Sequence, residues 1–233
     1  MAPPENERDR WPDAEPPTVR AFERELRTPA SAGAAGIVFS VLFMVSMILL
    51  RRSNAGLLQE VGSSRRAGDT ALVLAGLYLT PFAGIAFLWF MAAVRDRIGA
   101  HEDRFFATVF LGSGLLFVAM LFAGSATAGT LVAGSRFMGL PRPSPELIAF
   151  DRALAYTLLL VYAAKAAGVF MVVSSTIVLK LATMPRWLAL SGYLIAAVLL
   201  FSVTYVELVF ALFPLWVSVV SVFILLTARR TAP

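Results

Sequence analysis

Long uncharged stretches separated by short charged connections form the dominant pattern of this chain. The charged side chains gather near the N-terminus, in a few connections and at the C-terminus. A helix needs roughly 20 residues to cross a bilayer core about 30 Å thick. The last stretch, residues 187–228, has Glu207 as its one charged residue and is long enough for two such helices, with a turn near Glu207. The pattern predicts six transmembrane helices, at about residues 29–50, 70–94, 105–130, 153–179, 187–204 and 209–228.

The predicted fold class is all-α, a polytopic membrane helix bundle that occupies residues 29–230. In lipid, only helices and closed barrels satisfy every main-chain polar group, and these stretches lack the alternation of barrel strands. Ser144 and Pro145 form a typical N-cap and first helical residue for the fourth helix. Pro81 lies inside the second helix, where we expect a kink and not a break, since neighbouring helices can satisfy the freed carbonyl.

The N-terminal region has a different composition from the rest of the chain. Residues 1–17 are rich in proline and acidic residues, which predicts a disordered tail. Residues 18–28 predict a short amphipathic or juxtamembrane helix, with Val19, Phe22 and Leu26 on one face. That helix either lies on the membrane surface or forms a solvated lead into the first span.

Composition supports a membrane location and argues against nucleic acid as a partner. Hydrophobic residues make up 58% of the chain and charged residues 15%, compared with about 25% charged in soluble domains. The net charge is +5, but the basic residues are scattered along membrane edges, which favours lipid headgroups as counterions over nucleic acid. More of them lie on the side of the termini, which predicts cytoplasmic termini. Abundant alanine and arginine suggest a GC-rich bacterium and its plasma (inner) membrane.

The residue inventory argues against an enzyme. The chain has no cysteine and one histidine, His101, which lies in a polar connection. Thiolate catalysis, cysteine-ligated metals, a bis-histidine haem and an intramembrane Ser-His pair therefore cannot be built within one chain. We expect no catalytic residue, no metal and no cofactor.

Lys165 is the one charged residue inside the fourth predicted span, ALAYTLLLVYAAKAAGVFMVVSSTIVL. A charge at mid-bilayer costs roughly 2.5–3.5 kcal/mol unless it finds water or a partner. In one hypothesis Lys165 belongs to a ligand or ion path, with Tyr162 one turn away and Glu207 as a candidate counterion. The other hypothesis is a lysine that snorkels or bonds to carbonyls and holds the bundle together.

Two further groups of residues are candidates for contacts. Arginine pairs bracket the connection after the first helix and are candidates for lipid headgroups: Arg51, Arg52, Arg65 and Arg66. Small residues spaced four apart let helices approach closely, either within the bundle or between copies of the chain: Gly36, Ser40, Gly124 and Ala128.

The segment VRDRIGAHEDRFFATVFLGSGLLFVAM, with the helix before it, resembles uncharacterised multi-pass integral membrane proteins of GC-rich bacteria. That resemblance implies no activity. Two functions are therefore expected from the residues themselves. The first is a non-enzymatic membrane protein that acts by association with the bilayer, with a second copy or with another membrane protein. The alternative is a small permease or channel with a polar path at Lys165.

Overall fold

The computed structural model describes residues 29–59, 67–98, 104–141, 143–181, 184–202 and 207–230. The predicted tail 1–17 and the predicted helix 18–28 lie outside these residues. Within them every regular element is a helix, which confirms the predicted all-α bundle. The helices are α1 (Pro29–Gln59), α2 (Ala67–Ile98), α3 (Arg104–Phe137), α4 (Pro145–Tyr156, Thr157–Ala163 and Ala164–Leu181, of which the second part is π-helical), α5 (Arg186–Phe201) and α6 (Glu207–Arg230).

Five of the described helices are long and apolar enough to cross a membrane, and α5 is shorter. The five candidate spans are Ser31–Leu50, Leu74–Arg95, Phe105–Phe137, Pro145–Lys180 and Val209–Ala228. Helix α5 has 16 residues and ends at Phe201, earlier than the predicted range 187–204. At about 1.5 Å per residue its length is about 24 Å, less than the bilayer core. The described bundle therefore has five full-length helices and one short apolar helix.

Local sequence signals account for where α4 begins and why α2 continues. Ser144 is the N-cap of α4, with its Oγ accepting a hydrogen bond of 3.3 Å from the amide of Leu147, and Pro145 follows at the first helical position. The predicted cap is confirmed. Pro81 lies within α2 without ending it. Because proline lacks an N–H, α2 loses one internal bond there but remains one helix.

The core is built around a connected group of phenylalanine rings, which we call the phenylalanine cluster. Its rings come from α1, α2, α3, α4 and α6, with centroid distances as short as 4.8 Å between Phe39 and Phe87 and 4.9 Å between Phe117 and Phe213. Many pairs are edge-to-face, the geometry that the ring quadrupole favours. The members are Phe39, Phe43, Phe87, Phe90, Phe110, Phe117, Phe170, Phe210 and Phe213.

Helix packing places α4 and α5 together at one side of this core. Helix α1 packs against α2 and α6, α3 packs against α2 and all three parts of α4, and α5 packs mainly against the last part of α4. Consecutive helices α5 and α6 have a much smaller contact. The position of α5 is therefore determined chiefly by α4, the helix that carries Lys165.

Candidate functional site

Lys165 lies directly beyond the π-helical part of α4, on a narrow section of the helix. The amide of Ala164 bonds to the carbonyl of Leu159, five residues back, as a π-helix requires. Ala163, Ala164, Ala166 and Ala167 are buried around the lysine. From this narrow section the lysine side chain reaches the main chain of the neighbouring helix α5.

The ammonium of Lys165 binds the C-terminal end of α5. Its Nζ donates to the carbonyl oxygen of Leu199 at 2.9 Å and to that of Ser202 at 2.5 Å. Ser202 is the C-cap of α5, and its amide bonds to Val198 O at 2.9 Å. The last carbonyls of a helix have no partner within it and carry the negative end of the helix dipole. Lys165 therefore supplies both hydrogen bonds and opposite charge to this helix end.

The energetics of this contact offset the cost of a cation inside the bundle. A hydrogen bond that involves a charged group contributes about 1.5–3 kcal/mol. Two such bonds are comparable with the roughly 2.5–3.5 kcal/mol that a lysine costs at mid-helix on insertion scales. The side chain of Lys165 is half-buried. A cation held by main-chain carbonyls is chemically suited to fixing a helix end.

Of the other two residues proposed for a path at Lys165, the structure describes the side chain of Tyr162 and not that of Glu207. Tyr162 lies in the π-helical part of α4, and its side chain is 55% exposed. Glu207 is the first residue of α6, and its side chain lies outside the described part of the structure. The two partners that the structure shows are main-chain oxygens, those of Leu199 and Ser202. No particular side chain accompanies such an acceptor. Lys165 stands out in the sequence as a charge within an apolar stretch, whereas main-chain carbonyls do not stand out in any sequence.

Gly36 and Ser40 lie where α1 contacts α6. A Cβ added to Gly36 would collide with Ser221 Oγ and lie 2.8 Å from Cδ2 of Phe90. Ser40 Oγ lies 2.8 Å from the carbonyl oxygen of Gly36 and 2.8 Å from that of Pro214 in α6, so its hydroxyl is shared between the two. These small residues therefore serve a close approach within one chain.

Gly124 plays the same part between α3 and α4. A Cβ added there would lie 2.6 Å from Cγ of Leu159, which belongs to the π-helical part of α4. Ala128, one turn further along α3, is half-buried. Gly124 therefore lets α3 approach the section of α4 that precedes Lys165.

The arginines proposed for lipid headgroups cannot be placed in the same way. Arg51 and Arg52 belong to α1, but their side chains lie outside the described part of the structure, as do Arg65 and Arg66 altogether. Among the described residues there is no group of three or more histidine, cysteine, aspartate or glutamate side chains that would hold a metal ion.

The structure also contains an apolar cavity that sequence reasoning did not identify. Its volume is about 340 Å³, and residues of α2, α3, α4 and α6 line it together with Met184 in the connection before α5. Its wall includes Phe90, Phe110 and Phe170 of the phenylalanine cluster. Because the lining comes from four helices, no local sequence pattern marks it.

Comparisons with protein-family models, with curated proteins and with solved structures found no match.

Proposed function

We propose that this chain is a non-catalytic, multi-pass membrane protein that acts by association within the bilayer. The observation that carries the proposal is the contact of Lys165 with Leu199 O and Ser202 O. This lysine is the one cation in the middle of the candidate span Pro145–Lys180, and two of its donors are used to hold α5 against α4. A side chain engaged in this way stabilises the bundle and is not required to exchange protons or bind a substrate.

The filled core supports the same proposal. The phenylalanine cluster joins five helices, and its rings Phe39, Phe87, Phe117 and Phe213 are each almost fully buried. A water-filled path lined by polar groups is the usual feature of channels. As part of the proposal, the membrane is the bacterial plasma membrane with both termini in the cytoplasm, on the basis of composition and the distribution of basic residues.

Water access at Lys165 tests the proposal. The native chain has no cysteine, so Lys165→Cys carries the only thiol and can be probed with a membrane-impermeant maleimide in intact cells and opened vesicles. Val169→Cys, one turn further along α4, probes the same face and keeps the lysine. His101→Cys and Leu140→Cys serve as controls for sidedness. With cytoplasmic termini, we expect Leu140→Cys to react in intact cells and His101→Cys to react only in opened vesicles. Positions 165 and 169 should remain unlabelled in both. Labelling at both positions would contradict a purely structural lysine.

The second candidate function is a small permease or channel with a polar path at Lys165, Tyr162 and Glu207. The π-helical part Thr157–Ala163 favours it, because π-helical turns often occur at functional sites and this one ends just before the lysine. The two candidates differ in what Lys165→Leu does. A permease would remain folded and lose ion or proton flux in proteoliposomes. A structural lysine would lower thermal stability and leave any flux unchanged.

Association itself is measurable in reconstituted membranes. Leu140 is exposed and lies in the connection before α4, so Leu140→Cys provides a site for donor and acceptor dyes. If copies of the chain associate, we expect energy transfer above the random-encounter level, and this excess should fall as lipid dilutes the protein and the copies dissociate. If transfer stays at the random-encounter level at every dilution, copies of the chain do not associate, and the partner is a different membrane protein.

A further inference from the structure

The apolar cavity of about 340 Å³ lies at one end of the bundle and not at its centre. Its lining includes Val94, close to the C-terminal end of α2, Val178, close to the end of α4, and Thr227, close to the end of α6. The topology brings these three helix ends to the side of the bundle from which α1 starts. The cavity therefore extends from the phenylalanine cluster to the edge of the described helices.

The cavity wall offers an apolar environment to its occupant. The hydroxyl of Ser174 donates to Phe170 O at 2.7 Å, and that of Thr227 donates to Phe223 O at 2.9 Å. The indole N–H of Trp216 donates to Leu188 O at 3.2 Å. These polar groups in the wall thus already bond to main-chain carbonyls. Ligand sites commonly have volumes of about 300–1,000 Å³, and empty cavities of apolar lining readily take apolar molecules.

Basic residues occupy the same end of the bundle. Arg95 follows the lining residue Val94, Arg186 begins α5 just after Met184, and both are exposed. The ammonium of Lys180 lies 4.0 Å from the centroid of the Phe106 ring in α3, one turn before the lining residue Phe110. That cation–π contact holds a positive charge at the junction of α3 and α4. An apolar cavity beside basic residues suits an anionic amphiphile.

We propose that the cavity binds one acyl chain of an anionic phospholipid, with the phosphate near Arg95, Lys180 and Arg186. The apolar wall holds the chain, and the three cations favour a negative headgroup by electrostatic attraction. Asp96 is adjacent in sequence, and its side chain lies outside the described part of the structure. The proposal is independent of the role of Lys165, because Lys165 does not line this cavity.

Trp216 provides a direct measurement, because it lines the cavity and is only 4% exposed. In a protein with Trp11, Trp89 and Trp187 replaced by phenylalanine, Trp216 is the one remaining tryptophan. Liposomes would contain increasing fractions of phosphatidylglycerol or phosphatidylcholine with brominated chains, which quench nearby indoles. We expect saturable quenching of Trp216 at a lower mole fraction of the anionic lipid than of the zwitterionic one.

Neighbouring valines on α6 supply a matched pair of variants. Val220 is buried and lines the cavity, whereas Val219 is exposed. Val220→Phe should fill the cavity and abolish the saturable quenching, and Val219→Phe should leave it unchanged. Near-ultraviolet circular dichroism of both variants checks that they fold. Replacing Arg95 and Lys180 by glutamine should weaken binding of the anionic lipid by about fivefold for each cation removed.

Three results would overturn the proposal. The first is quenching of Trp216 no greater than that expected from bulk lipid, which would mean that no acyl chain enters. Equal quenching by the two lipids would exclude recognition of an anionic headgroup. Saturable quenching that appears only after removal of residues 1–28 would mean that the N-terminal segment, and not lipid, occupies the cavity in the intact chain.

Discussion

Replacing Gly36 by alanine should destabilise the bundle by forcing α1 away from α6. The added methyl group would collide with Ser221 Oγ and lie 2.8 Å from Cδ2 and 3.1 Å from Cε2 of Phe90. Both side chains are almost fully buried, so neither can move without disturbing its neighbours. Overpacking of this kind costs about 1–3 kcal/mol, and the better helix propensity of alanine returns about 1 kcal/mol. We expect a net destabilisation of up to about 2 kcal/mol.

Gly112 supplies a control for the same chemical change. It lies in α3, and a Cβ added there meets nothing within 4 Å. Gly112→Ala therefore carries the gain in helix propensity without the collision, and its stability should stay the same or rise by up to about 1 kcal/mol. Unfolding of both variants and the native chain in mixed micelles, followed by circular dichroism, gives the comparison.

Ser221 allows the cause of the destabilisation by Gly36→Ala to be identified. Its hydroxyl is buried and has no hydrogen-bond partner among the described residues, so Ser221→Ala removes an unsatisfied polar group at little cost. The double variant with Gly36→Ala and Ser221→Ala should recover part of the lost stability. The size of that recovery measures the coupling free energy between the two sites. The collision at Gly36 is refuted if Gly36→Ala is as stable as Gly112→Ala, or if the double variant is no more stable than Gly36→Ala alone.

Two further substitutions test contacts that the structure shows directly. Ser40→Ala removes the hydroxyl shared with Pro214 O and should cost about 0.6–1.7 kcal/mol, the range for hydrogen bonds between membrane helices. Thr130→Ala is its control, because the exposed hydroxyl of Thr130 donates to Ala126 O within its own helix α3. An equal loss in both variants would count against the contact between α1 and α6. Ser144→Ala removes the N-cap of α4 and should cost about 1 kcal/mol, measured by the same unfolding assay. Ser144→Thr should retain most of that stability, and no difference between the alanine and threonine variants would refute the cap.

The features predictable from the sequence are those that a single stretch of residues encodes. Uncharged length identifies the helices, because the bilayer sets the length required, and a serine followed by proline marks the start of α4 at Ser144. The spacing of small residues predicts packing sites at Gly36 and Gly124 but does not reveal the partner helix. Only the structure shows α6 facing Gly36 and the π-helical part of α4 facing Gly124.

Neither the cavity nor the phenylalanine cluster could be predicted from the sequence, and the reason is different. Phe90, Phe110 and Phe170 belong to three helices that are far apart in sequence, and each is an ordinary apolar residue within an apolar stretch. Hydrophobic periodicity distinguishes buried from exposed faces in water, but lipid-facing residues of a membrane helix are equally apolar. The three-dimensional arrangement of the helices is therefore needed before these rings can be grouped.

The short length of α5 and the charge of Lys165 are complementary, because the helix end lacks hydrogen-bond donors and the lysine lacks acceptors. A helix of 16 residues ends before it has crossed a full bilayer core, so its last carbonyls need donors that lipid does not supply. A lysine inside the span Pro145–Lys180 needs acceptors for the same reason. Leu199 O and Ser202 O meet both needs at once through the Lys165 ammonium. Either feature alone would be costly, so Lys165→Leu should destabilise α5 even though it replaces a charge by an apolar side chain.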